Sequence, residues 1–386
     1  MESLVFQKES AGPATHALVI GVGDYPYLPG GRSKKKFANP GGMGQLRSPP
    51  SSARAFARWL IEEYHHPSKP LKSLSVLLSD PGSNTFEFTE GKTSRSVAVP
   101  AATASECQRA VTEWHERGNR DPAHLLIFYF CGHGIAALPD LALLLSDFGE
   151  KPSAALDGAI DFRRLRQNME ECAAREQCYF VDACREGSDV IIKNSGFAGQ
   201  PIIHASGAFN GTGLQRQAPV FYSTLAGSPA YGQPGQMSLF TEALLRGLRG
   251  AGCSDEQGPW RVQTTFLLHA LNRLMNDTSQ RLSMPQEQIT PADDLSLIEL
   301  NVVDQPVVPV VVSCSPESAN RKAILTYRNG KKSQQRGPAA EAWRLQLLVG
   351  DYDFEAKFTS SGFKGAKRPK FPVRPSFRKV DLEVGP

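Results

Sequence analysis

Two short stretches carry residue types that can do covalent chemistry: Cys131-Gly132-His133-Gly134 and Asp182-Ala183-Cys184-Arg185. Each follows an apolar run, His124-Leu-Leu-Ile-Phe-Tyr-Phe-Cys in the first case and Gln177-Cys-Tyr-Phe-Val-Asp in the second. A thiol beside an imidazole is an activated nucleophile, because the imidazole favours the thiolate or takes its proton. The same imidazole can then return a proton to a leaving amine. Gly134 allows close backbone approach, and its N–H together with that of Cys184 can face the oxyanion of a tetrahedral intermediate. Without its setting, Cys184 would read as one more buried thiol, since free cysteine is among the most buried residue types.

Such groups must be delivered by elements that end side by side. His16-Ala-Leu-Val-Ile-Gly-Val-Gly and Ser73-Leu-Ser-Val-Leu-Leu-Ser read as buried strands, and residues 141–146 and 219–223 as further ones. Between them, residues 51–64 (Phe56, Trp59 and Leu60 on one face), 105–117, 162–175, 238–249 and 264–275 read as helices. This alternation predicts an α/β fold: a mostly parallel sheet flanked by helices, with functional groups gathered past the carboxyl ends of the strands.

Beyond Asp304-Gln-Pro-Val-Val-Pro-Val the helical signal stops, which places a domain boundary there: 1–303 and 304–386. Ala323 to Lys332 holds an Asn-Gly hairpin signal, and residues 344–358, with a Gly-Asp turn, read as a second hairpin. With the alternating tail 377–384, a small all-β, sandwich-like domain is expected. From Pro316 onward fifteen Lys/Arg face seven Asp/Glu, a balance of +8 in a chain whose net charge is +4. Such a surface invites an anionic partner. Its cations are dispersed and lack the interleaved aromatics of a single-strand platform, so no specific nucleic acid is expected.

The 386 residues, 40% hydrophobic and 21% charged, are those of a globular chain that buries a core. Residues 125–131 form too short an apolar run to span a bilayer, and Met1 to Thr15 lacks a signal-peptide core. Seven scattered cysteines argue for reduced thiols, hence a cytoplasmic protein. Cysteines 107, 172, 178, 253 and 314 read as packing thiols, and no metal-ligand spacing appears. His65, His66 and His115 sit among polar residues and read as surface.

The two motifs resemble the caspase-like superfamily of cysteine peptidases, bacterial branch. Its signature places Ala-Cys about 50 residues after the His; here Cys184 follows His133 by 51 positions. Tyr222-Ser-Thr-Leu-Ala-Gly is similar to an element of the small caspase subunit, and the likeness runs over about 14–302. It implies a caspase-like α/β fold and a Cys184–His133 dyad that needs no cofactor.

Caspases bind a P1 aspartate with two arginines and a Gln two positions before the nucleophile. Here that Gln position is Asp182, the later arginine falls on Gly232, and the earlier could correspond to Arg47. An acidic residue at that position is what metacaspases carry, and they cut after Arg or Lys. The resemblance therefore implies protein substrates with exposed Arg or Lys sites, bound through Asp182, with Asp24 and Ser223 as further pocket residues. Self-cleavage at Lys193 or Arg216, within the 187–219 loop, would follow. So would latency relieved by an upstream signalling protein or a small anionic activator such as a nucleotide second messenger, as in antiviral defence or cell death; a calcium requirement is left open. Two alternatives stay open: a catalytically silent caspase fold that binds a ligand or partner, with Asp182 merely orienting its loop, and an acyl-transfer enzyme that ligates peptides.

Overall fold

A computed structural model of the chain describes all residues except 10, 138–139, 185–198, 205–215, 226–234, 255–258, 285–288, 360–361 and 386. Its largest sheet has seven strands in the order Leu4–Gln7, Leu71–Ser79, Thr15–Val22, Leu125–Gly132, Glu176–Ala183, Val220–Tyr222, Ala292–Asp293. The five inner strands run parallel, and the two edge strands are antiparallel. This is the expected caspase-like α/β architecture. The chain builds outward from Thr15–Val22 to Leu71–Ser79, then returns to the other side for Leu125–Gly132. The gap between Thr15–Val22 and Leu125–Gly132 is thus the point where strand order reverses, the usual place for a ligand in such sheets.

The central strands are buried along their whole length, as expected when helices cover both faces. Alternation sorts their side chains. Tyr129 and Phe180 pack against Phe56 of the helix Ser48–Glu62 on one face. Phe128 and Tyr179 meet Trp114 of the helix Ala104–Gly118 and Phe162 of the helix Phe162–Met169 on the other. Burying each such ring contributes on the order of 1.5–3 kcal/mol. Because side chains alternate with a period of two, Cys131 and Asp182 share the Phe56 face with Tyr129 and Phe180.

The helix expected over 162–175 ends at Met169. The carbonyls beyond that point are taken by side chains instead: Gln177 Nε2 donates to Met169 and Ala174, and Arg216 Nη1 to Met169, Cys172 and Ala174. His66 is not surface but buried, its ring Nδ1 accepting the Lys69 N–H.

By internal contacts the chain forms two units, 1–245 with 275–298, and 246–274 with 299–386. The division differs from a single cut after residue 303, because Cys253–Ser254 and Arg261–Gln263 pair in one small sheet with Glu299–Val302. In the second unit a three-stranded sheet (Trp343–Leu348, Val307–Ser315, Arg378–Glu383) and a four-stranded sheet (Lys332–Arg336, Ile324–Asn329, Gly350–Lys357, Ala366–Val373) enclose a core that includes Val310, Val312, Leu325, Phe354 and Val380. The first expected hairpin is present, with Gly330 at φ +55° in its turn. The second is not a hairpin. Trp343–Leu348 pairs with Val307–Ser315, while Gly350–Lys357 pairs with Ile324–Asn329, so the chain changes sheets at Val349.

Candidate active site

The strands ending in the two motifs are direct neighbours. Their parallel register sets Asp182 beside Cys131 and Ala183 beside Gly132, so Cys184 leaves its strand level with His133. A Cβ on Gly134 would lie 2.5 Å from the Cys184 carbonyl oxygen and 3.0 Å from Ala183 Cβ. The two ends approach this closely only because residue 134 is glycine.

His133 is held at both ends. Its Nε2–H donates to the Gly44 carbonyl at 2.8 Å, from the loop between Thr15–Val22 and the first helix. A carbonyl only accepts, so this bond fixes the proton on Nε2 and leaves Nδ1 as the basic nitrogen. Its backbone N–H donates to Tyr25 Oη at 2.8 Å, and Tyr25 Oη donates on to the Leu144 carbonyl at 3.3 Å. The phenol is thereby spliced into the hairpin Gly134–Ala137/Asp140–Leu144 where a direct bond from His133 to Leu144 would stand; the return bond, from Leu144 N–H to the His133 carbonyl, is intact at 2.9 Å. Hydrogen-bonded and non-bonded pairs alternate in an antiparallel ladder, so Gly134, paired with Leu143, turns its N–H away from that ladder. Burial lowers the His133 pKa, opposed in part by the Gly44 carbonyl, so the imidazole is neutral at pH 7.

Of the seven cysteines, Cys184 alone is part-exposed; the other six are buried. Burial pushes the thiols of Cys107, Cys131 and Cys178 well up, which makes them poor nucleophiles.

Asp182 is 3% exposed. Its Oδ2 accepts from Ser238 Oγ, from Thr241 Oγ1 at 2.8 Å and from Cys131 Sγ at 3.4 Å. Thr241 also meets Tyr129 Oη at 2.6 Å, and the Ser238 N–H donates to Ser52 Oγ at 2.9 Å. Burial raises the Asp182 pKa, and the hydrogen bonds from Ser238, Thr241 and Cys131 pull it back. Among the described residues no Lys or Arg pairs with this carboxylate. Ser223 is buried and donates to the Ala183 carbonyl at 3.2 Å.

Asp24 is not drawn into that cluster; its carboxylate pairs with Arg32 Nη1 at 2.5 Å. Arg47 lies exposed just before the first helix. Arg216 is anchored through three carbonyls, and its neighbour Gln217 bridges Glu176, so it sits in ordered backbone rather than at a loop tip. Lys193 and Gly232 lie outside the described residues. Gly44, Tyr25, Ser238 and Thr241 escaped the sequence reading. Only the Ser-x-x-Thr spacing at a helix start offered a sign of the last two. Among the described residues no cluster of His, Cys, Asp and Glu could hold a metal, and no helix is long and apolar enough to cross a membrane.

Three comparisons bear on this arrangement. Over 190 residues the chain is 30% identical to the uncharacterized protein y4kE of Sinorhizobium fredii (strain NBRC 101917 / NGR234), covering 49% of this chain and 52% of that one. It thus spans about half the length of that curated relative. Among solved structures it is similar to caspase-1 from Spodoptera frugiperda, with TM-score 0.41 and 11% identity over 78% of this chain and 98% of that one. Protein GSU0716 from Geobacter sulfurreducens matches with TM-score 0.40 and 14% identity over 73% of this chain and 93% of that one. The sequence profile of the caspase domain matches residues 14–296, a span that contains His133, Asp182 and Cys184, and the chain therefore belongs to the caspase-domain family.

Proposed function

We propose that the chain is a cysteine endopeptidase that cuts after Arg, with Lys second. The observation that carries this reading is the register that sets Cys184 level with a His133 whose Nε2–H is tied to Gly44. His133 Nδ1 takes the Cys184 thiol proton, and the thiolate sulfur attacks the scissile carbonyl carbon. The N–H groups of Gly134 and Cys184 receive the oxyanion. Collapse breaks the C–N bond as the imidazolium protonates the leaving amine. Water, deprotonated by His133, then hydrolyses the thioester and frees the thiol.

Asp182 supplies the preference for a basic P1. A guanidinium arriving there would exchange with the Ser238 hydroxyl and meet a buried carboxylate that no described cation neutralises. The closed network favours a second reading of Asp182 alone, as a structural carboxylate that fastens the strand end to the segment 238–241. An untamed peptidase of this kind would damage its own cell. Latency, relieved by a partner protein or an anionic ligand within a cytoplasmic antiviral or cell-death response, completes the proposal.

The test is a P1-varied fluorogenic peptide set on wild type and Cys184→Ala, with and without lysate of phage-infected cells. Cleavage after Arg or Lys that the variant lacks is the expected result. Cleavage after Asp would overturn the specificity, and no cleavage under any condition would overturn the peptidase.

A further inference from the structure

Within the second unit lies a cavity of about 470 Å³, inside the size range of small-molecule sites. Its wall is chemically one-sided. Among the described residues, Arg273, Arg374 and Arg378 line it together with the rings of Trp260, Phe266 and Phe377, and no carboxylate does. Phe266, His269 and Arg273 are spaced by three and four along the helix Thr264–Arg281, so one helical face supplies all three. Arg374 is fixed from behind, Nη1 donating to the Gly350 and Val373 carbonyls at 3.0 Å each and Nη2 facing Asp351 Oδ1 at 3.3 Å. Arg378 is anchored by its backbone in a strand beside Val310. Among the described residues neither Arg273 nor Arg378 has a side-chain partner.

Of the three guanidinium groups only Arg374 faces a carboxylate among the described residues, so positive charge is in excess and selects anions, and the planar forks match phosphate oxygens. Aromatic walls beside them offer stacking, which tolerates any base because every base presents a π-face. We infer that this cavity binds a nucleotide, its phosphates on Arg273, Arg374 and Arg378 and its base among Trp260, Phe266 and Phe377. The inference gives the anionic-ligand part of the proposed function a location, and its regulatory meaning rests on that reading; the binding itself does not.

The experiment uses full-length Cys184→Ala protein, which separates binding from any peptidase activity. ADP, GDP and UDP are titrated calorimetrically, with inorganic phosphate and adenosine as separate arms. At least one nucleotide is expected to bind about tenfold or more tighter than either phosphate or adenosine, and more weakly as salt rises. Arg273→Gln, at an exposed helical position, and Arg378→Gln should each weaken that binding by about tenfold or more, with unchanged melting temperatures as the folding control. Three results would overturn the inference: no heat from any of the three nucleotides up to about 1 mM, where binding free energy is already slight; phosphate binding as tightly as the nucleotides; or wild-type affinity in both Arg variants.

Discussion

Tyr25 reaches His133 through the backbone, not the ring: its hydroxyl accepts the His133 N–H at 2.8 Å and occupies a rung of the hairpin that follows. The rings lie 4.9 Å apart and tilted, so the phenol both packs the imidazole and fixes the peptide that carries it. Tyr25→Phe leaves the packing and removes the splice, stranding a buried N–H and a carbonyl. A stranded buried group costs about 1–3 kcal/mol, and a small displacement at a catalytic group can cost about 100-fold in rate. The expected outcome is a lowered melting temperature and a fall in kcat of about tenfold or more, with KM nearly unchanged. A variant with wild-type kcat would show that the splice does not position His133.

Asp182→Asn separates the two roles weighed for this carboxylate. As the floor of a basic P1 pocket, its neutralisation should cut kcat/KM for Arg peptides by about 100-fold or more while leaving stability at pH 7 nearly unchanged, since a costly buried charge goes with it. A purely structural carboxylate would give the reverse, a drop in melting temperature with the Arg preference intact. Ser238→Ala sharpens the comparison. It removes the hydroxyl that a guanidinium must displace, so the KM for Arg peptides should fall or hold.

The acid limb of the pH profile follows from the same groups. His133 accepts the thiol proton only when neutral. Burial lowers its pKa, so the neutral form persists below the ordinary histidine value of about 6.5. Asp182 must be ionised to hold a cation, and burial moves its pKa upward from the carboxylate range. In Asp182→Asn, where His133 alone sets the acid limb, kcat/KM should therefore rise with pH through a midpoint below about 6.5. Wild type, which must also ionise Asp182 to hold an Arg side chain, should show its limb at the same pH or higher. A midpoint above 7 in the variant would contradict the burial argument for His133.

That His133 and Cys184 leave neighbouring strand ends was legible in the sequence, because strand patterning stops just before each of them. Eight buried residues precede His133 on one strand, and the cysteine strand is buried up to Ala183, so parity and parallel register do the rest. Gly44 was not legible, because a backbone carbonyl acts whatever side chain it carries and the loop holding it has no period. Tyr25 was hidden for a related reason, since its partners at 133 and 144 are defined only after folding. Residues 344–358 misled differently. Alternation announces a strand but not its partner, so two strands flanking Val349 looked like a hairpin although they serve opposite sheets.

Gly134→Ala tests the approach of the two strand ends. The new methyl would meet the Cys184 carbonyl oxygen at 2.5 Å, and backbone cannot rotate aside as a side-chain tip can. The strand ends must part by several tenths of an ångström, in a region packed on both faces. Overpacking of this kind costs about 1–3 kcal/mol. Because Cys184 and the Gly134 N–H move with it, the loss in kcat should exceed that of a neutral surface change by about 100-fold. Measuring kcat and the melting temperature together decides the matter, and unchanged kcat would remove Gly134 from the proposed oxyanion site.

At the opposite end of the sheet, His16 is a built-in acid sensitivity of the fold. The ring is 3% exposed, its Nδ1 shares a hydrogen with Ser73 Oγ at 2.7 Å, and His124 lies edge-on at 4.8 Å. Burial first, then the charges of His124, Arg117, Lys72 and Arg120, lower its pKa to about 3. The unfolded chain binds this proton near pH 6.5 and the folded chain only near 3, so between those values the unfolded state holds more protons. Stability contributed by the neutral ring is thus complete above about pH 6.5 and falls with pH through that window, at up to about 1.4 kcal/mol per pH unit. His16→Phe keeps an apolar ring and removes the titration. Its melting temperature should be lower at pH 7, where Ser73 loses its partner, but should decline less than that of wild type between about pH 6 and 4. Parallel pH curves for the two proteins would mean that other groups govern acid unfolding.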